Sequence, residues 1–147
     1  MVARTIVVAF DGSVHSEIAF KFFAENLHRK DDVVILVYCA VMQMPIPPGF
    51  IPPLPEQISL TVDNFNADCK IMMDKMKKIL EKQNISGTVV SIHGKPGEAI
   101  IQVSEERGAN LIVTGSRGHG MIRRSILGSV SDYLVHHSRV PVLVCKH

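Results

Sequence analysis

Five short stretches of nearly unbroken apolar residues, separated by longer amphipathic segments, constrain this chain more than any other feature. They are "TIVVAF" (5–10), "VVILVYCAV" (33–41), "TVVSIH" (88–93), "LIVTG" (111–115) and "VPVLVC" (140–145). A strand with one wet face alternates apolar and polar side chains, whereas a strand covered on both faces reads as a continuous apolar run. Four of the five are of the second kind, and the third is mixed.

The segments between them carry helical periodicity. Ile18, Ala19, Phe22, Phe23 and Leu27 share a predicted face, with Ser13 as the N-cap. A second helix places Ile58, Val62, Phe65, Cys69, Met72, Met76 and Ile79 at steps of four and three. A third carries Ala99, Ile100 and Val103 and stops at Gly108, a residue suited to a left-handed C-cap. A fourth is expected from about Ser129 to Ser138, ended by the Val140-Pro141 strand start. Strand and helix alternating through five strands predict an α/β doubly wound five-stranded parallel sheet, Rossmann-like, with helices on both faces. Ligands of such sheets lie beyond the carboxyl ends of the strands, where strand order reverses. The loops after the first, second and fourth strands are therefore where a site is expected.

A chain of 147 residues has the size of one ordinary domain, and no repeat or linker divides it, so residues 1–147 are read as one domain. The formal charge of +2 is too small to point to nucleic acid or a membrane surface. "MVARTIVVAF" meets Asp11 at once, with no small-residue cleavage site, and reads as a buried strand rather than a signal peptide. Cys39, Cys69 and Cys145 lie far apart, with no CxxC and no zinc spacing, which suits reduced core residues in a cytoplasmic protein. The seven histidines are scattered, and no metal site is expected from side chains. "MPIPPGFIPPLPE" (44–56) holds six of the eight prolines; such a stretch can serve as a polyproline ligand for an aromatic groove, but inside a compact unit it reads more simply as a stiff surface loop able to lean over the site.

The chemistry concentrates after the fourth strand, in "GSRGHGMIRRSILGSVSDYL". Gly115, Ser116, Arg117, Gly118, His119 and Gly120 can turn backbone amides inward as an anion-binding concavity. Gly128, Ser129, Val130 and Ser131 then open a helix, whose first N–H groups lack intrahelical partners and whose dipole favours phosphate oxygens. Ser129 and Ser131 add hydroxyls; Arg117, Arg123 and Arg124 add charge. Glycine-rich loops and serine caps also occur where no phosphate binds, and it is their combination at the carboxyl end of a parallel sheet that points to a phosphate-bearing ligand. No GxxxxGK[ST] is present, "FDGSVHS" lacks GxGxxG, and "SIHGKPG" lacks the acidic strand end of a phospho-acceptor.

"GSRGHGMIRRSILGSVS" fits G-x2-G-x9-G-[ST] through Gly115, Gly118, Gly128 and Ser129, and with "IVVAFDGSVHS", "GKPGEAI", "ANLIVTGSRGHG" and "PVLVC" it resembles the universal stress protein family, ATP-binding subgroup, over essentially the whole chain. The resemblance implies strand order 3-2-1-4-5, ATP as ligand with or without Mg2+, a stress-response role and a homodimer formed through the last strand, 140–145. Carried over by position, it implies that Ala9 and Asp11 line the nucleoside and phosphate region, Asp11 holding ribose or magnesium. Cys39 falls where the family makes a backbone contact to adenine. Gly115 through Met121 would wrap the phosphates, with Ser129, Val130 and Ser131 completing the seat. Two departures stand out: the proline-rich insertion is longer than the minimal pattern, and Met121 is bulky where a small residue is common.

Each residue also has a plainer reading. Asp11 can simply satisfy a turn, Cys39 can be core, and His119 can be a solvated loop residue. Three functions follow: a nucleotide-dependent switch, a slow ATP hydrolase with only Asp11, His119 and Arg123 as candidate groups, or a nucleotide-independent dimeric interaction protein. No residue is assigned as catalytic.

Overall fold

A computed structural model of the chain describes residues 2–40, 49, 52–117 and 127–146. Strands β1 (Thr5–Phe10), β2 (Val33–Ala40), β3 (Gly87–His93), β4 (Leu111–Gly115) and β5 (Val142–Cys145) form one parallel sheet in the order β3-β2-β1-β4-β5. Helices α1 (Val14–Asn26), α2 (Pro55–Lys82), α3 (Pro96–Glu106) and α4 (Ser129–His137) connect them.

The apolar runs are explained by burial on two sides. Successive side chains of a strand point to opposite faces. Ile6, Val8 and Phe10 of β1 join Ala19, Phe20 and Phe23 of α1 and Met76 and Leu80 of α2 in one layer of core. Val7 and Ala9 join Ile100 and Val103 of α3 and Leu134 of α4 in the other. Ile6, Val7 and Val8 are all fully buried, so no polar residue could sit among them without losing its water. β3 is an edge strand with only half-buried or exposed residues and a mixed sequence, whereas β5, the other edge, is half-buried throughout and keeps its apolar run.

Helix ends follow local chemistry. Ser13 caps α1, its hydroxyl accepting from Ser16 N–H at 3.2 Å. Pro55 opens α2, where its missing N–H costs nothing, and the Gln57 side chain accepts from Leu54 N–H at 3.0 Å. Helix therefore starts inside the stretch expected to be loop through residue 56. Gly108 has φ +61° beyond the last turn of α3, as the sequence predicts, and Ala109 N–H returns to Ser104 C=O at 2.8 Å.

The face assigned to α1 is wrong in part. Ser16, Ala19, Phe20 and Phe23 are buried, while Phe22 and Leu27 are 45% and 37% exposed. At the amino end of the sheet, Arg4 holds Asp32 through Nε and Nη2 at 2.9 and 2.7 Å, and Asp32 also accepts from Arg29 N–H. Burial is the largest single effect on Asp32 and raises its pKa, but the bonds from Arg4 and Arg29 outweigh it and the net shift is downward. No helix among the described residues is long and apolar enough to cross a membrane.

Candidate functional site

At the carboxyl end of the sheet, where the chain order turns back between β1 and β4, lies a cavity of about 640 Å³. Its floor is the ends of three strands: Ala9 and Phe10 of β1, Val37 to Cys39 of β2, and Thr114 and Gly115 of β4. Pro96 and Ile100 of α3 wall one side, and Gly128 to Ser131 at the start of α4 close the other. Asp11, Ser16 and Arg117 supply polar rim groups. The volume lies within the range of about 300–1,000 Å³ usual for small-molecule sites.

Gly115 is needed for close approach. Its ideal Cβ would lie 2.9 Å from the carbonyl oxygen and 3.0 Å from the carbonyl carbon of His15, so β4 ends directly against the first turn of α1. Ser116 follows, buried, with its N–H bonded to Cys145 C=O of β5 at 3.0 Å. Its own carbonyl accepts twice, from Gly128 N–H at 2.6 Å and from the Ser131 hydroxyl at 3.2 Å. The two ends of the loop are thus pinned together, and Ser131 Oγ also reaches Gly128 C=O at 3.0 Å.

These bonds change the roles expected of two residues. Gly128 N–H is turned onto Ser116 rather than into the cavity, and the Ser131 hydroxyl, in a side chain only 2% exposed, donates to backbone carbonyls. What α4 offers instead are the N–H groups of Ser129, Val130 and Ser131. They precede its first intrahelical bond, which Asp132 N–H makes to Gly128 C=O at 2.9 Å. Gly128 is the N-cap and brings no capping side chain, so no cap side chain occupies that positive helix end.

Arg117 sits at the rim with its Nε buried and, among the described residues, without a hydrogen-bond partner. A buried guanidinium N–H left without an acceptor is costly, and an anionic ligand in the cavity would relieve it. Asp11 serves the turn and lines the cavity at once: its Oδ1 accepts from Ser13 N–H at 2.8 Å. The Ser16 hydroxyl buttresses the same turn, donating to Ser13 C=O at 2.9 Å and accepting from Asp11 N–H at 3.4 Å.

β2 projects two residues past β1. The β1–β2 register ends at Phe10↔Tyr38, whereas β2–β3 continues to Ala40↔His93. Cys39 is therefore beyond its last β1 neighbour, lining the cavity with its thiol 3.4 Å from Gly94 C=O. Burial raises the Cys39 pKa, which keeps it a thiol at neutral pH.

Of the residues singled out in the sequence, Ala9, Asp11, Cys39, Gly115, Arg117, Gly128, Ser129, Val130 and Ser131 line one cavity, with Ser116 buried behind its wall. Gly118, His119, Gly120, Met121, Arg123 and Arg124 lie outside the described residues, as do residues 41–48, 50 and 51 of the segment after β2. The sequence reading missed Tyr38, Pro96, Ile100 and Thr114. They come from three separate elements; "GKPGEAI" contains Pro96 and Ile100 and "ANLIVTGSRGHG" contains Thr114, but neither stretch assigned them a place in the site.

The family model described as "Universal stress protein family" matches residues 3–146. The chain is 33% identical over 79 residues to Universal stress protein MJ0577 of Methanocaldococcus jannaschii; the stretch covers 54% of this chain and 49% of that relative, about half its length. A solved structure of MJ0577 superposes with a TM-score of 0.81 at 25% identity, covering 100% of this chain and 98% of that one. Two further structures share the fold. One is an Arabidopsis thaliana universal stress protein family member with AMP bound, at TM-score 0.70, 20% identity and coverage of 98% and 92%. The other is an Archaeoglobus fulgidus universal stress protein in complex with dAMP, at TM-score 0.66, 22% identity and coverage of 99% and 100%.

Proposed function

The chain belongs to the universal stress protein family, and from that premise we propose that it binds an adenine nucleotide, ATP foremost, in the cavity at the carboxyl end of its sheet and acts as a nucleotide-dependent stress-response switch. The observation that carries this reading is the start of α4, without a capping side chain, beside the Nε of Arg117, which has no partner among the described residues: two donors for anionic oxygen at one rim. The AMP- and dAMP-bound structures of the same fold support adenine as the base.

In this reading the phosphates lie against the N–H groups of Ser129, Val130 and Ser131, with Arg117 supplying charge. Adenine lies between the projecting end of β2 at Cys39 and the apolar surface of Ala9, Val37 and Ile100. Asp11, with Oδ1 engaged by Ser13, presents its carboxylate to ribose or to a magnesium ion held by the phosphates. Gly118, His119, Gly120 and Met121 complete the wrap around the phosphates. Bound nucleotide stabilises the conformation that binds it by mass action, and this is the switch.

The chain acts as a cytoplasmic single domain, 1–147, that forms a homodimer through residues 140–145. Among the described residues β5 is bonded to β4 on one side only, and pairing that edge with a second copy hides its backbone groups. Mass spectrometry of the small molecule retained by untreated protein tests the ligand class. An adenine nucleotide is expected, and a retained molecule with no phosphate would overturn the reading.

A further inference from the structure

α2 outruns the sheet it covers. Its 28 residues make a rod of about 42 Å, whereas the eight residues of β2 span about 26 Å. Met72 already reaches Gly12, just past the end of β1, its Cε 2.6 Å from where a Gly12 Cβ would be. The Phe65 ring meets that of His93 at the end of β3, with centroids 5.7 Å apart, so the turns before Phe65 project beyond the carboxyl edge, and the buried residues of α2 are Met76 and Leu80, near its far end.

The outward side of α2 carries an ordered pattern. Leu60 and Ile71 are 61% and 67% exposed, with Asn64 and Ala67 between them, also exposed. The steps are four, three and four, the spacing of a two-helix seam. Charge is segregated along the same helix. Residues 55–69 contain Glu56, Asp63 and Asp68 and no Lys or Arg, a net of −3. Residues 70–82 contain Lys70, Lys75, Lys77, Lys78 and Lys82 against Asp74 and Glu81, a net of +3.

We infer that the outer face of α2 is a self-association surface, on which a second copy of the chain docks its own α2 antiparallel about a two-fold axis between Phe65 and Asn66. That axis sets Leu60 against Ile71 of the second copy and Asn64 against Ala67. Along one flank of the seam it brings Asp63 to Lys70 and Glu56 to Lys77, each pair occurring twice by symmetry. All of these side chains are exposed in the single chain and need no rearrangement to meet. Parallel docking would set acidic half on acidic half, so the charge order selects the orientation. The surface lies on the layer that covers β2 and β3, away from the β5 edge, and stands whether or not the cavity binds nucleotide. One helix-on-helix contact is small, so the association is weak and depends on concentration.

Charge reversal tests it. Sedimentation across the micromolar range is compared for the unchanged chain, Lys70→Asp, and Asp63→Lys combined with Lys70→Asp, with circular dichroism confirming the fold of each. The expected result is that Lys70→Asp halves the mass reached at the highest concentration, and that the double swap, which rebuilds opposite charges across the axis, restores it. A dimer formed through β5 survives all three sequences, so the halving is the readout. Identical masses for the unchanged chain and Lys70→Asp, or a double swap that fails to restore association, would overturn the inference.

Discussion

The backbone N–H of Gly128 donates to the carbonyl oxygen of Ser116 at 2.6 Å, and this bond closes the base of the loop between β4 and α4. Because Ser116 is itself tied to Cys145 at the end of β5, the start of α4 is held against the sheet at a fixed height. The Ser131 hydroxyl reinforces the same carbonyl. Ser131→Ala is expected to cost about 1 kcal/mol of stability, the usual worth of a buried hydrogen bond. It should also weaken nucleotide binding several-fold while leaving the fold intact. Denaturant unfolding read beside a nucleotide titration checks both, and unchanged affinity would mean that the clamp does not position the α4 amides.

Gly97 and Tyr133 set how closely α3 and α4 pack. A Cβ on Gly97 would lie 2.4 Å from Cδ1 and 2.8 Å from Cγ of the Tyr133 ring, which in turn stacks on His137 with centroids 4.0 Å apart. Gly97→Ala is expected to destabilise by about 1–3 kcal/mol, as overpacking does. Tyr133→Ala in the same chain should recover part of that loss, and a double-mutant cycle measures the recovery. Strict additivity would show that the ring is not what excludes the methyl.

Asp32 gives a pH dependence whose sign follows from its partners. Its pKa is lowered in the folded chain, because Arg4 and Arg29 together outweigh the opposing effect of burial. The stability it contributes is fully present above the value of an unfolded aspartate, about 3.9, and is lost as pH falls through the lower folded value. Asp32→Asn should therefore be less stable than the unchanged chain at neutral pH, with the gap shrinking below about pH 4. Unfolding midpoints across that range decide it, and a gap independent of pH would contradict the account.

The central strands β1, β2 and β4 were legible because burial on both faces leaves no alternative to an apolar run, and the carboxyl-edge location of the cavity followed from alternation alone. The α1 face was not. Phe22 and Phe23 are adjacent and Ile18 precedes Phe22 by one turn, so two overlapping stripes exist, and only contact with the sheet selects the one through Phe20 and Phe23. The roles of Gly128 N–H and the Ser131 hydroxyl were misread for a related reason: helix starts expose donors, and the sequence does not tell which of them the chain itself will use. Tyr38, Pro96 and Thr114 join the cavity from three elements, and no spacing in the chain announces that meeting.

Arg117 separates phosphate recognition from base recognition. Its buried Nε has no partner among the described residues, so Arg117→Ala removes a donor that none of them engages. ATP affinity is expected to fall by tenfold or more, the order of a charge-assisted hydrogen bond, while adenosine affinity and the unfolding midpoint stay nearly constant. Equal losses for ATP and adenosine would place Arg117 at the base instead.

Calorimetric titration of ATP into protein stripped of nucleotide tests the central claim most directly. Saturable binding at one site per chain, weakened by Arg117→Ala and by Ser131→Ala, is the predicted result. No heat of binding at millimolar ATP from folded protein would contradict it.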